Sequence, residues 1–360
     1  MKILHVTNAV GWSGGCQQLT YLIEGLEAKG HENILVCPPK SELILRLSRT
    51  STPIEIFHMI QDYDLIAAYH LRNVIRRYSP DVVHAHHSMA HAIALVSLML
   101  KESPSLVVSR RVSFKPRKNI FSLWKYRSKK ICRYVAVSQS IKQTLMEGGV
   151  PSKRIEVIYS AYDANSFFPQ EPNKKILEEL KIPEGYKVVG KLANYSHWKG
   201  QKIFLEAAKI LLQENKKIIF VLVGKETEKL EEKARELGIL SSIRLLGFRK
   251  DIPQILSTFH LSINSAIDGE GLSGAMRESL AMNIPVIASN VSGNREIVQD
   301  GITGILIPRK DPSSLAKKIS YALENEHSME EMTRHGSQWV KENCSLNTMV
   351  EQHIQLYESL

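Results

Sequence analysis

Asp268-Gly-Glu270-Gly-Leu-Ser-Gly-Ala-Met-Arg-Glu278-Ser-Leu-Ala-Met-Asn-Ile-Pro-Val-Ile-Ala-Ser289 is the stretch on which the reading of the fold turns. It reads as a loop, a helix and a strand. An apolar run, Leu261-Ser-Ile-Asn-Ser, ends near Ala266. Gly269, Gly271 and Gly274 then interrupt the pattern and let the backbone approach something closely. Ser273 can cap a helix that carries Met276, Leu280 and Ala281, and Pro285 precedes a new strand, Val286-Ile-Ala. A strand's carboxyl end, a Gly-rich loop and a helix N-terminus thus meet, and free N–H groups and the helix dipole favour anions there. Glu270 lies in the loop and Glu278 inside the helix. Neither can ligate a phosphate, but both can accept hydrogen bonds from sugar hydroxyls, so the stretch suits a ligand with sugars and phosphates. Spacing alone leaves open an acidic loop beside an ordinary helix with a solvated Glu.

Working outward, the first half alternates strands and helices. Strands are expected at Ile3–Thr7, Asn33–Cys37, Ile54–His58, Val82–Ala85, Leu106–Ser109, Tyr134–Val137 and Ile155–Ile158. Helical patterns fall between them at Gln17–Lys29, Leu65–Tyr78 and His91–Leu100. A linker follows from Asp163 through Pro172, and the alternation then resumes: strands at Lys187–Leu192, Ile218–Val223, Ile243–Leu246 and from Leu261, and helices at Gln201–Gln213, Glu226–Leu237 and Ile252–Ser257. Helices are expected near Asn294–Val298, over Ser313–Leu323 and from Met329 to the end. Alternation of this kind specifies parallel sheets covered on both faces. The expectation is two doubly wound α/β domains, residues 1–165 and 170–344, facing a cleft at the carboxyl ends of their strands.

Glu270-x7-Glu278, followed by Ser-Leu-Ala-Met-Asn-Ile-Pro-Val-Ile-Ala-Ser, resembles the signature of family 4 retaining glycosyltransferases, which share the two-domain GT-B fold of Rossmann-like halves. The resemblance implies that Glu270 contacts the sugar of a nucleotide-sugar donor. It implies that the backbone of Gly271, Leu272, Ser273 and Gly274 holds sugar and phosphate, and that Glu278 binds the donor ribose. It also implies that the C-terminal helix, about 345–360, packs back on the first domain.

Val189-Gly-Lys-Leu-Ala-Asn194-Tyr-Ser-His-Trp-Lys199-Gly200 is the second match. The family's loop here carries an Arg and then Lys-Gly, and both cations hold the donor diphosphate. Lys199 matches the Lys, whose ammonium can stabilise a leaving diphosphate. The Arg position falls on Asn194, which leaves Lys191 or Arg249 as a replacement. Leu246-Gly-Phe248-Arg249-Lys-Asp251 resembles the family's base-binding turn. Gly11-Trp-Ser-Gly14-Gly15 follows the first strand and opens a helix, where glycines let amides approach a phosphate; the resemblance turns Gly14 and Gly15 toward donor diphosphate and acceptor.

Asp81-Val-Val-His84-Ala-His86-His87 sits at a strand end, with His84 and His86 on one side by alternation. His86 is a candidate for hydrogen bonding to substrate hydroxyls, against the alternative of satisfied core histidines. A metal reading lacks a partner Asp or Glu. Arg110 and Arg111 open a basic cluster that runs through Lys115, Arg117 and Lys118. Arg111 stands where the family often has a His. An Arg pair suits a phosphate or carboxylate on an acceptor. Phe121-Ser-Leu-Trp124-Lys-Tyr126-Arg-Ser-Lys129-Lys130 mixes aromatics with cations, as a membrane-surface patch does and as a solvated amphipathic helix also can.

The chain has 360 residues, a natural length for two domains. The net charge of +10 fits a nucleotide ligand or an anionic membrane surface. It also admits a nucleic-acid-binding protein, but the cations are dispersed and no recognised module is present. Four cysteines lie far apart, as free thiols in a reducing cytosol do. Met1-Lys-Ile-Leu-His-Val is too short an apolar run for a signal peptide, and no apolar segment nears the ~20 residues of a spanning helix. The expectation is a cytoplasmic, metal-independent enzyme needing no cofactor, peripheral at the inner face of the membrane. It would transfer a hexose or other sugar from a nucleotide such as UDP to a glycan or lipid-linked acceptor in cell-envelope polysaccharide or lipopolysaccharide synthesis. The rival enzyme on the same fold is a nucleotide-sugar epimerase, which would need no acceptor.

Overall fold

Short apolar runs rich in Val, Ile and Leu, each followed by an amphipathic helix, build two all-parallel sheets in this chain. The computed structural model describes residues 1–99, 104–113, 119–214 and 216–360. The first sheet contains β1 (Lys2–Val6), β2 (Glu32–Cys37), β3 (Ile54–Ile56), β4 (Val82–Ala85), β5 (Ser105–Arg110), β6 (Ile131–Ala136) and β7 (Ile155–Val157), in the order β3-β2-β1-β4-β5-β6-β7. The second contains β8 (Lys187–Leu192), β9 (Ile218–Val223), β10 (Ile243–Leu245), β11 (Leu261–Asn264), β12 (Val286–Ser289) and β13 (Ile305–Ile307), in the order β10-β9-β8-β11-β12-β13.

Each sheet is doubly wound, and each has one place where the strand order reverses: between β1 and β4, and between β8 and β11. Helices leave these neighbouring strands toward opposite faces, which opens a crevice at their carboxyl ends. The loops after β1 and β4, and those after β8 and β11, are therefore the ones placed to hold a ligand.

The chain divides into one unit of Met1–Ala161 with Leu346–Leu360 and a second of Tyr162–Ser345. In the first, the helix Leu346–Glu358 lies on the helix Gly14–Ala28. Gly25 makes that approach possible: a Cβ there would sit 2.3 Å from a methyl of Val350. Val350, Ile354 and Tyr357 share one apolar cluster with Ile3, Leu22, Leu26 and Val82. The second unit buries Val189, Phe220, Leu261 and Ile287 under helices that contribute Phe204, Leu205 and Leu315.

Two differences from the sequence reading have simple causes. The helix expected from Met329 to the end is two helices, Glu326–Asn343 and Leu346–Glu358. Cys344 is fully buried and Ser345 pairs with Tyr162, and these contacts divert the backbone at the break. β13 is not among the expected strands, because its three residues follow closely on Gly301 and Gly304, which take positive φ. Lys115, Arg117 and Lys118 of the basic cluster lie outside the described residues.

Candidate active site

The polar groups of the second unit converge where β11 ends. Asn264, the last residue of that strand, is buried and donates from Nδ2 to Glu270 Oε1 (3.3 Å), Ser273 Oγ (3.0 Å) and Asn294 Oδ1 (3.3 Å). One side chain thus holds the loop, the helix cap and the next loop together. Ser273 caps the helix Gly274–Ala281 and accepts from Met276 N. The carbonyl of Glu270 accepts from Ser292 Oγ (2.6 Å) and from Gly293 N (3.3 Å). Gly293 packs so tightly that a Cβ there would lie 1.8 Å from the carbonyl oxygen of Gly271.

The loop after β8 docks on the same strand end. Ile267 N donates to Trp198 O (2.8 Å), and Ser265 Oγ donates to Gly200 O (2.8 Å). Gly200 has φ +69°, and a Cβ there would meet Ser265 O at 1.8 Å. That docking delivers Lys199. Its ammonium donates to Glu270 Oε1 at 2.6 Å and lies 4.2 Å from the centre of the Trp198 ring. Glu270 is buried, so the pair is a largely enclosed contact beside a helix N-terminus. Glu278 is partly buried further along the helix. Burial holds its carboxyl above the ordinary range, with Arg277 opposing.

Asn194 is a turn residue. Its Oδ1 accepts from Lys225 N (2.9 Å) and its carbonyl accepts from Gln201 Nε2 (3.0 Å). Arg249 is fastened between Asp251, at 2.8 Å and 2.6 Å, and Glu179. Two carboxylates therefore already balance its charge. Phe248 is exposed, and the Lys225 ammonium lies 5.3 Å from the centre of its ring. Leu272 is buried and Gly274 begins the helix.

In the first unit the helix Gly14–Ala28 begins at the β1–β4 reversal, capped by Ser13, which accepts from Cys16 N. Gly14 is open on its Cβ side. A Cβ on Gly15 would lie 3.5 Å from His87 Nε2 and 3.7 Å from Arg111 Cδ. Thr7 Oγ1 and His87 Nδ1 are 2.7 Å apart, and Arg111 donates to Ser160 Oγ at 3.3 Å. Gly14, Gly15, His87 and Arg111 are thus brought together. Arg110 turns the other way, to Val112 O and the Tyr126 hydroxyl.

His86 is not at this site. It is buried with His84, the two rings 4.0 Å apart, and its Nε2 meets His5 Nδ1 at 3.1 Å. His84 spans Tyr357 OH (2.7 Å) and Ser109 Oγ (2.8 Å). Ring nitrogens of His5, His84 and His86 lie within 4.8 Å of one another, a spacing that admits a metal. Both nitrogens of His5 and of His84 already have protein partners, and the nearby charge is Arg111, a cation. Burial pushes all three rings below the usual histidine range, so they form a neutral hydrogen-bonded core.

Sequence reading missed Asn264, Ser292 and His87. A signal was present for the first: an Asn inside an otherwise buried strand needs partners. For His87 it was weaker, because this residue caps the next helix and leaves the strand's alternation.

Known proteins resemble the chain over most of its length. Residues 172–339 match the family model for glycosyl transferases group 1, and residues 12–166 match that for glycosyltransferase family 4. The chain is 24% identical over 304 residues to the N-acetyl-alpha-D-glucosaminyl L-malate synthase of Bacillus anthracis, covering 82% of this chain and 79% of that one. It is 26% identical over 275 residues to the UDP-Gal:alpha-D-GlcNAc-diphosphoundecaprenol alpha-1,3-galactosyltransferase of Escherichia coli, covering 71% and 70%. Among solved structures, the Anabaena protein HepE in complex with UDP-glucose superposes with a TM-score of 0.88 at 20% identity, over all of both chains.

Proposed function

The chain belongs to the group 1 and family 4 glycosyltransferases, and from that premise we propose that it moves a sugar from a nucleoside diphosphate sugar to a hydroxyl of a glycan or lipid-linked acceptor, retaining the anomeric configuration and using no metal. One observation carries the reading: Lys199, Glu270 and a capped helix N-terminus converge at the strand-order reversal of the second unit.

In this reading the donor diphosphate takes Lys199 from Glu270 and rests on the amides of Gly271 to Gly274. Glu270 is then free to accept from a sugar hydroxyl, and Glu278 accepts from the ribose. Phe248 and its turn lie against the base. As the bond from the anomeric carbon to the phosphate oxygen breaks, charge grows on the leaving diphosphate. Lys199 and the helix end stabilise that charge, a task a divalent ion performs in other enzymes. The acceptor oxygen bonds to the same face of the anomeric carbon, and its proton passes to the departing phosphate oxygen. Gly14, Gly15, His87 and Arg111 receive the acceptor.

Charge supports an anionic acceptor at a membrane. The first unit holds 22 Lys and Arg against 13 Asp and Glu, a net +9 of the chain's +10. Ile60, Leu65, Ile66, Tyr69, Ile120 and Phe121 are exposed on it. The Tyr63 hydroxyl donates to Phe121 O at 2.8 Å and ties the two segments together. The proposed setting is the inner face of the cytoplasmic membrane, in envelope glycan synthesis. No helix of the described residues is long and apolar enough to cross a membrane.

A thermal-shift panel of UDP, GDP, ADP and their sugars tests the donor, with UDP first because the similar Anabaena protein holds UDP-glucose. Transfer to an acceptor with retained anomeric configuration, unchanged by chelator, is the expected result. Conversion of the sugar nucleotide without acceptor would replace this reading with an epimerase.

A further inference from the structure

Lys191 lies on β8, an interior strand of the second sheet, one residue before its carboxyl end and opposite Leu222 of β9. It is only 2% exposed. A lysine so enclosed normally has a carboxylate or several carbonyls around its ammonium, because an unpaired buried charge is costly. No described residue accepts a hydrogen bond from the Lys191 side-chain amine or forms an ion pair with it. The charged groups acting on it are Lys199, from the loop after β8, and Glu270, from the loop after β11. These two are themselves paired at 2.6 Å. The fold thus places an unpartnered amine beside the Lys199–Glu270 ion pair of the proposed donor site.

We propose that Lys191 is a second cation of the donor site, one that takes up a proton when a diphosphate arrives and so replaces the charge that Asn194 does not supply. The proposal rests on the donor reading given above. Asn194 is neutral and engaged in its turn, and Arg249 is balanced by Asp251 and Glu179, so neither offers that charge. Burial first, and the like charge of Lys199 second, hold the Lys191 amine down at about 7, with Glu270 opposing. The empty site therefore keeps much of it neutral at physiological pH. A diphosphate adds negative charge next to Lys199, offsets the repulsion and favours the ammonium. The proton comes from solvent, and no bond other than N–H is made. Donor binding then carries a proton with it, and affinity depends on pH by linkage.

Calorimetry of the full-length enzyme with the nucleotide-glucose selected by the donor panel tests this. A nucleotide-glucose has only diester-type phosphates, with no proton to exchange near neutrality. Titrations at pH 7.5 in buffers of different ionisation enthalpy should give an uptake of roughly 0.7 proton per donor, from a free amine near 7. Lys191→Met, which keeps the buried methylenes, should bind the donor several-fold more weakly with uptake near zero. Lys191→Arg should bind with no uptake. In the unaltered enzyme, affinity should fall several-fold between pH 7 and pH 8.5, a readout that needs no variant to fold. Equal uptake in the enzyme and Lys191→Met, or affinity flat across that range, would overturn the proposal while leaving the donor site standing. If no nucleotide sugar binds the unaltered enzyme, the donor reading itself fails.

Discussion

Glu278 carries a tension that belongs to function rather than folding. No described residue donates a hydrogen bond to its carboxylate, and burial raises its proton affinity. A raised folded-state value in an acid means that folding disfavours its charge above the unfolded value. Removing that charge should therefore not harm the fold. Glu278→Gln is expected to hold or raise Tm at pH 8 and to weaken donor binding about tenfold, the order of one lost hydrogen bond to a charged group. A drop in Tm with unchanged donor affinity would contradict the ribose role. Lys199 and Glu270 stand out in the sequence through the resemblance to family 4 glycosyltransferases, spacing alone leaving Glu270 open, and the structure adds that they touch. Lys191 was legible only as a nearby cation, because sequence does not reveal whether an ammonium finds a partner. His86 and His87 differ by one position, yet one lies in the core and the other stands beside Gly15.

At the scale of elements, the strands were legible because buried parallel strands are nearly continuous apolar runs. β6 starts earlier than expected, at Ile131, because Cys132, which the pairing with β5 passes over, and Arg133, which pairs with Val107, interrupt that pattern. The helix Leu346–Glu358 is fixed in the first unit by apolar packing and by the bond from Tyr357 to His84. Tyr357→Phe leaves buried His84 short of one partner and should cost about 1–3 kcal/mol, read as a lower denaturant midpoint with an unchanged slope. Gly200→Ala should do more local damage. It forces a side chain into a positive φ and against Ser265 O, so the Lys199 loop must lift. Weakened donor binding with a modest loss of Tm is the expected outcome, checked by titrating donor against both proteins.

At the scale of the whole molecule, charge and titration divide between the units. His5, His84, His86, His91 and His353 are all held below the usual histidine value by burial. The unfolded chain binds protons at these sites near 6.5 while the folded chain does not, so stability should fall steadily as pH drops from about 6.5 toward 4. A pH series of denaturation midpoints checks this, and a flat profile across that window would contradict it. The basic first unit should also bind vesicles of anionic lipid and release them as salt rises. Ile66→Ser with Phe121→Ser should lower that binding about tenfold without changing Tm or donor affinity, since both side chains are exposed. Unchanged vesicle binding would detach the apolar patch from the membrane.

The central claim is that nucleoside diphosphate sugar binds the second unit between Lys199 and the helix N-terminus at Gly274. Hydrogen exchange with and without saturating nucleotide sugar tests it most directly, because the amides proposed to hold phosphate are themselves the reporters. The account predicts the strongest protection over residues 269–278, with a second zone over 196–201. Protection confined to other segments, with these amides exchanging as in the free protein, would contradict it.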